Sequence, residues 1–261
     1  MRMPVLFVGH GSPMNAIEDN SYTHALNRLA KILPEPEAVC VVSAHWVTSG
    51  SHVLTANRPR TIHDFYGFPK PLYQVEYPAP GAPDHAKRIA FEHHLIADHE
   101  WGFDHGAWSV LRHLYPDASI PVFQVSLDHG RTLAEHMDLG RELLHLREQG
   151  VLILGSGNLV HNLHQINWQM GGSAYPWAQE FDSKVKQSIE NRDISALTAP
   201  DMWGETLLAN AHPTLEHYVP LLYCLGSTDH SDTASYPYEG MEFGTISMRM
   251  VFFQPDSSRC A

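Results

Sequence analysis

His10 sits in Gly9-His10-Gly11-Ser12-Pro13 and His45 in Ser43-Ala44-His45-Trp46, each just past a short apolar run rich in valine. Such runs read as buried strands. In open α/β sheets the carboxyl ends of strands carry the ligand-binding groups. Two imidazoles delivered to one sheet edge point to a metal ion, because neutral imidazole is the commonest metal ligand. Three further histidines stand in polar or glycine-rich contexts. They are His105 in Gly102-Phe103-Asp104-His105-Gly106, His161 in Ser156-Gly157-Asn158-Leu159-Val160-His161-Asn162, and His217 in Pro213-Thr214-Leu215-Glu216-His217-Tyr218. His161 follows the apolar run 151–154 by one short turn. His164 lies one helical turn further on, in ordinary surroundings, and reads as structural.

A metal-dependent oxygenase needs two histidines and a third ligand on one face, with positions left open for O₂ and substrate. Glu216 and His217 both offer that third ligand. Adjacent residues of a helix point about 100° apart, so one helix face presents only one of them. A closed structural zinc site favours cysteine-rich sets at short spacing, and no Cys-x-x-Cys occurs. Other chemistries lack their motifs. No serine stands in a Gly-x-Ser-x-Gly elbow. Gly155-Ser156-Gly157 has Val160 where a dinucleotide fingerprint needs its third glycine. There is no Walker A sequence and no His-Glu-x-x-His. Ser12 and His10 stand too close in one tight turn to face each other as a hydrolytic pair.

The elements that must position these residues alternate. Strands are expected over 4–8, 38–43, 121–127, 151–154 and 245–253, and helices over 22–32, 82–94, 107–114, 132–149, 177–191 and 213–225. Pro83 and Asp84 suit a helix start. Alternation implies one α/β domain spanning 1–261, with a mainly parallel central sheet covered by helices on both faces. The strands carrying His10 and His45 are expected to be neighbours. Segment 58–80 breaks the alternation. It is rich in Pro, Gly, Tyr and Phe, and a long irregular segment inside a compact domain is usually functional. It is expected to line or cover the site, with its Arg58, Arg60 and Lys70 reading first as exposed cations. Segment 227–238 reads as a polar loop.

Composition narrows the partners. Histidines number 19 against 17 Lys and Arg, and the formal charge is −12. Nucleic-acid binding needs clustered Lys and Arg, and no such cluster occurs. No apolar stretch approaches the roughly 20 residues that cross a bilayer. A strand beginning at Pro4 leaves no room for a signal peptide, and Cys40, Cys224 and Cys260 are odd in number and far apart. They are expected to be reduced thiols in a cytoplasmic protein.

These five histidine blocks, in this order along nearly the whole chain, resemble the class III extradiol ring-cleavage dioxygenases. They are most similar to the 4,5-DOPA dioxygenase branch of the LigB-like superfamily. The resemblance implies a non-haem Fe(II) enzyme that inserts both atoms of O₂ into a small-molecule catechol, DOPA or a relative, and opens the ring beside the diol. It implies His10, His45 and His217 as metal ligands, His161 in proton transfer and within reach of the metal, and His105 as a second pocket histidine. Protocatechuate relatives complete the metal set with a glutamate, whereas this branch uses a histidine. An all-histidine set also accepts Zn(II), which has no redox chemistry and leaves such a sample inactive. Carboxylates are expected to fix the imidazole tautomers, with Asp104 and Glu216 as candidates. A zinc hydrolase and a non-catalytic metal- or ligand-binding protein are the alternatives on the same fold.

Overall fold

The structure, a computed structural model, describes residues 2–255. Its centre is an eight-stranded sheet of β1 (Val5–Gly9), β2 (Ala38–Thr48), β3 (His52–Leu54), β4 (Ile96–Asp98), β5 (Val122–Asp128), β6 (Val151–Gly157), β7 (Asp232–Ser235) and β10 (Met250–Pro255). The order is β4-β3-β5-β2-β6-β1-β10-β7. The central strands β5, β2, β6 and β1 run parallel, and β10 pairs antiparallel to β1. A two-stranded ribbon of β8 (Met241–Glu242) and β9 (Ile246–Ser247) stands apart from the sheet.

The central strands are buried on both faces, as parallel strands under helices must be. Val5, Phe7, Cys40 and Val42 pack on one face, and Leu6, Val8, Val39 and Val41 on the other. The first face is covered by helices α2 (Pro83–Glu92), α4 (Leu133–Leu143), α5 (Pro176–Asn191) and α8 (Val219–Gly226), and the second by α1 (Ser21–Ala30) and α3 (His105–Leu114). Two short helices, α6 (Ile194–Thr198) and α7 (Glu205–Ala211), flank α5. Buried Arg147 ties the sheet edge to the layer above it, donating to both carboxylate oxygens of Asp232 and to the carbonyls of Met3 and Ser227. Among the described residues no helix is long and apolar enough to cross a membrane.

Several sequence-based boundaries shift. The expected strand 245–253 is two strands, because the chain leaves the ladder at Met248 and Arg249. There the Met248 amide donates to the Gly240 carbonyl, and the Arg249 guanidinium turns to Asp182. The expected polar loop 227–238 contains the edge strand β7. The expected helix 213–225 begins only at Val219, with Pro220 in its first turn. The expected helix 132–149 is α4 followed by a 3-10 segment, Leu144–Gln149. Cys40 and Cys224 are buried and free, whereas Cys260 lies outside the described residues.

Candidate metal centre

β1 and β2 are not neighbours, contrary to expectation; β6 lies between them. The three strands are in register at this edge, with Val8 and Ser43 both opposite Ser156. His10 and His45 each stand two residues beyond that row. Their rings lean toward each other over the end of β6, with Nε2 atoms 3.1 Å apart. Strands lie about 4.8 Å apart, so two inward-turned imidazoles are what spans the width of the intervening strand. His45 is inside β2 rather than past its end. The register against β5 shifts between Val42 and Val47, and such an irregularity re-aims a side chain.

His217 comes from the turn before α8. Its carbonyl accepts from the Asn158 amide at 2.8 Å, and a Cβ at Gly157 would run into that carbonyl. Glycine at 157 therefore lets the His217 segment lie directly on the strand end. Neither Glu216 nor His217 is helical, so helical geometry does not separate them. Their side chains touch, Glu216 Oε1 lying 3.3 Å from His217 Nδ1. One ligand-capable atom each of His10, His45 and His217 lies within 4.8 Å of the others, and their ring centroids are 5.0 to 5.4 Å apart.

Hydrogen bonding sets which nitrogen each ring offers. The Ser156 hydroxyl donates its one proton to the Gly106 carbonyl at 2.6 Å. It can therefore only accept from His10 Nδ1, 3.0 Å away, and His10 keeps its lone pair on Nε2. His45 Nδ1 lies 3.3 Å from Asp64 Oδ2 and His217 Nδ1 faces the Glu216 carboxylate. In all three rings Nδ1 lies within 3.3 Å of an oxygen, hydrogen-bonded in His10 and His217, and Nε2 is left for the centre, the arrangement metal-binding histidines adopt. His217 Nε2 is buried without a hydrogen-bond partner, and the facing lone pairs of His10 and His45 repel unless a cation lies between them. The residues present thus fit a divalent metal. Burial first, then the neighbouring imidazoles, pushes His10 and His217 well below the ordinary histidine pKa, and burial does the same for His45. All three are neutral, as ligands must be.

His105 is the first residue of α3, and Asp64 holds it twice: Oδ1 accepts its amide at 2.8 Å and Oδ2 faces its Nδ1 at 3.0 Å. The Asp64 side chain is 18% exposed. Burial would raise its pKa, but the hydrogen bond and charge of His105, with His45, carry it down to about 2. Asp104 does not touch a ring nitrogen as expected. It caps α3 through the Ala107 amide and accepts from Ser43 and Gln124. Gly106 lets α3 approach; a Cβ there would lie 2.5 Å from Ser43 Oγ and 3.0 Å from the His45 ring.

His161 is brought to the same pocket. Its ring stacks on that of His217, with centroids 3.5 Å apart and planes 7° apart. Burial, then His212, lowers its pKa to about 3. His164 is exposed and outside the cluster. Segment 58–80 does line the site: the Phe65 ring meets the His105 ring edge-on at 5.6 Å and packs with Phe68, Tyr73 and Trp108. Arg58, Arg60 and Lys70 are exposed. Sequence reasoning missed Asp64 and Ser156. Asp64 lay within the segment singled out as irregular, and Ser156 in a triplet weighed only for nucleotide binding.

Comparison with known proteins agrees with this geometry. Residues 4–253 match the family described as the catalytic LigB subunit of aromatic ring-opening dioxygenase. The chain is 46% identical to the 4,5-DOPA dioxygenase extradiol of Escherichia coli K12, over 96% of this chain and 94% of that one. It is 36% identical to the protein of that name from Beta vulgaris, over 92% of each. A crystal structure of an uncharacterized protein from Escherichia coli K12 superposes with a TM-score of 0.83 at 42% identity, over 96% of this chain and 99% of that one. A pocket of converging neutral imidazoles on this α/β sheet, matched along nearly the whole chain, identifies it as a member of the LigB family and an extradiol aromatic ring-opening dioxygenase.

Proposed function

We propose that the chain opens the catechol ring of 3,4-dihydroxyphenylalanine, or of a close catechol, between C4 and C5, with one Fe(II) held by His10, His45 and His217. The observation that carries the metal assignment is the common orientation of the three rings, each with Nδ1 beside an oxygen and Nε2 turned inward. Support for the substrate comes from the relatives named 4,5-DOPA dioxygenase extradiol. When bound, Fe(II) supplies a Lewis acid for the two catechol oxygens and a site that activates O₂ beside them. Zn(II) on the same ligands leaves the chain inactive toward O₂.

The chain's own residues do the rest. Burial and His212 keep His161 neutral, so its ring nitrogen has a lone pair with which to accept the second phenolic proton and later return it. His105, its Nδ1 fixed on Asp64, presents Nε2 as a second hydrogen-bonding group. Phe65 and its aromatic neighbours exclude water and flank the ring on the His105 side.

The test is a catechol panel with anaerobically Fe(II)-loaded protein exposed to O₂. L-DOPA should consume O₂ and yield a seco-DOPA that cyclises to a yellow pigment. Turnover of a plain or carboxylated catechol, with none of L-DOPA, would retain the enzyme class and reject the substrate.

A further inference from the structure

A second group of metal-ligating side chains lies outside the histidine pocket, where the end of α2 meets the 3-10 segment Leu144–Gln149. One ring nitrogen each of His93 and His145 and one carboxylate oxygen of Glu92 lie within 4.8 Å of one another. We propose that Glu92, His93 and His145 form a second divalent-cation site of the zinc class, clipping α2 to the segment that follows α4.

The His145 ring is oriented as a ligand. His145 Nδ1 donates to the Glu142 carbonyl at 2.8 Å, which leaves the lone pair on Nε2, the nitrogen 3.5 Å from Glu92 Oε2. His93 Nδ1 lies 3.2 Å from Glu142 Oε2. Glu142 thus sets the His145 tautomer through its backbone carbonyl, in the manner of the acceptors behind metal-bound histidines, and its carboxylate lies beside the His93 ring.

A surface ion pair between His145 and Glu92 accounts for their contact and for nothing else. It leaves His93 Nε2 buried without a hydrogen-bond partner, an arrangement that costs free energy. A cation shared by the three side chains would draw on a ring nitrogen of His93 within 4.8 Å of the ligand atoms of Glu92 and His145. Two imidazoles and a carboxylate suit Zn(II) and its neighbours in the first transition row rather than Mg(II) or Ca(II), which take oxygen ligands. Glu92 and His145 have 40% and 38% exposed side chains, so the ion enters from solvent and water completes its coordination.

The test is equilibrium dialysis of the metal-free full chain against Zn(II), with Co(II) absorption as a second probe. The unaltered chain should take up two equivalents. His145→Ala should take up one, with an unchanged circular dichroism spectrum and undiminished ring-opening activity after Fe(II) loading. Loss of an acceptor behind a ligand already costs about 10–100-fold in affinity, so Glu92→Gln should weaken the second equivalent at least ten-fold. A single equivalent in the unaltered chain, or equal stoichiometry and affinity in His145→Ala, overturns the proposal.

Discussion

Ser156 Oγ lies between the Gly106 carbonyl and His10 Nδ1, and because it donates to the first it must accept from the second. One buried hydroxyl on β6 therefore fixes the tautomer of a histidine on the next strand and anchors the start of α3. Ser156→Ala should lower Fe(II) affinity about 10–100-fold and destabilise the fold by about 1–3 kcal/mol through the unpaired carbonyl. Metal titration and urea unfolding read the two effects separately. Unchanged metal affinity would mean that the hydroxyl does not set the ring.

Asp64 orients His45 and His105 together, through Oδ2. Asp64→Asn keeps the shape but replaces the carboxylate with a group that has one acceptor oxygen. That oxygen can serve the two rings or the His105 amide but not both, so either the rings lose their acceptor or the start of α3 loses its anchor. Fe(II) affinity should fall at least ten-fold and oxygen uptake with it. A variant with full metal content and full turnover would remove Asp64 from the account.

His161 stacks face to face on His217, and a ligand-capable atom of its ring lies within 4.8 Å of those of Glu216 and His217. In the acid–base role, His161→Ala should retain the metal while losing about 10²–10⁴-fold in turnover, the usual worth of a general acid–base. Metal analysis and single-turnover kinetics on the same sample decide this. Loss of metal would make His161 a ligand; normal turnover would give it no role.

The sheet places several neutral histidines in the interior, and this makes stability depend on pH. Burial lowers His136 and His212 to about 4 and His161 to about 3, against about 6.5 in the unfolded chain. Between those values the unfolded chain binds more protons, so stability falls as pH falls through the window. Glu242 works against this, pushed up to about 7 by burial and by Glu18. His10, His45 and His217 shift in the same sense as His136, His161 and His212, so the lowered histidines outnumber the raised carboxyls Glu242 and Asp104 and the net effect is a loss of stability as pH falls. The urea midpoint of metal-free protein should drop between pH 6.5 and 5. An equal or higher midpoint at pH 5 would contradict the buried, neutral state.

Strand-end histidines were legible because a valine-rich run followed by glycine announces both the strand and its end, as at Val5–Gly9 and His10. The lateral order of strands was not. Nothing local in β6 says that it pairs with both β1 and β2, and only that pairing explains why His10 and His45 meet across a strand. The strands β3 and β4 have three residues each, too few to show a period. Asp64 escaped because its partners are 19 and 41 positions away and are reached through a segment without periodicity. Glu216 was legible as a neighbour of His217, but its contact depends on a turn that reads in sequence as the first turns of a helix.

The central claim is that three histidines, and not a glutamate, hold the catalytic metal. The most direct measurement is the Fe(II) content of His217→Ala and Glu216→Ala after anaerobic loading and desalting. The account predicts that His217→Ala retains essentially no iron, while Glu216→Ala retains it with an affinity about 10–100-fold weaker. Full occupancy in His217→Ala with loss in Glu216→Ala would contradict the account.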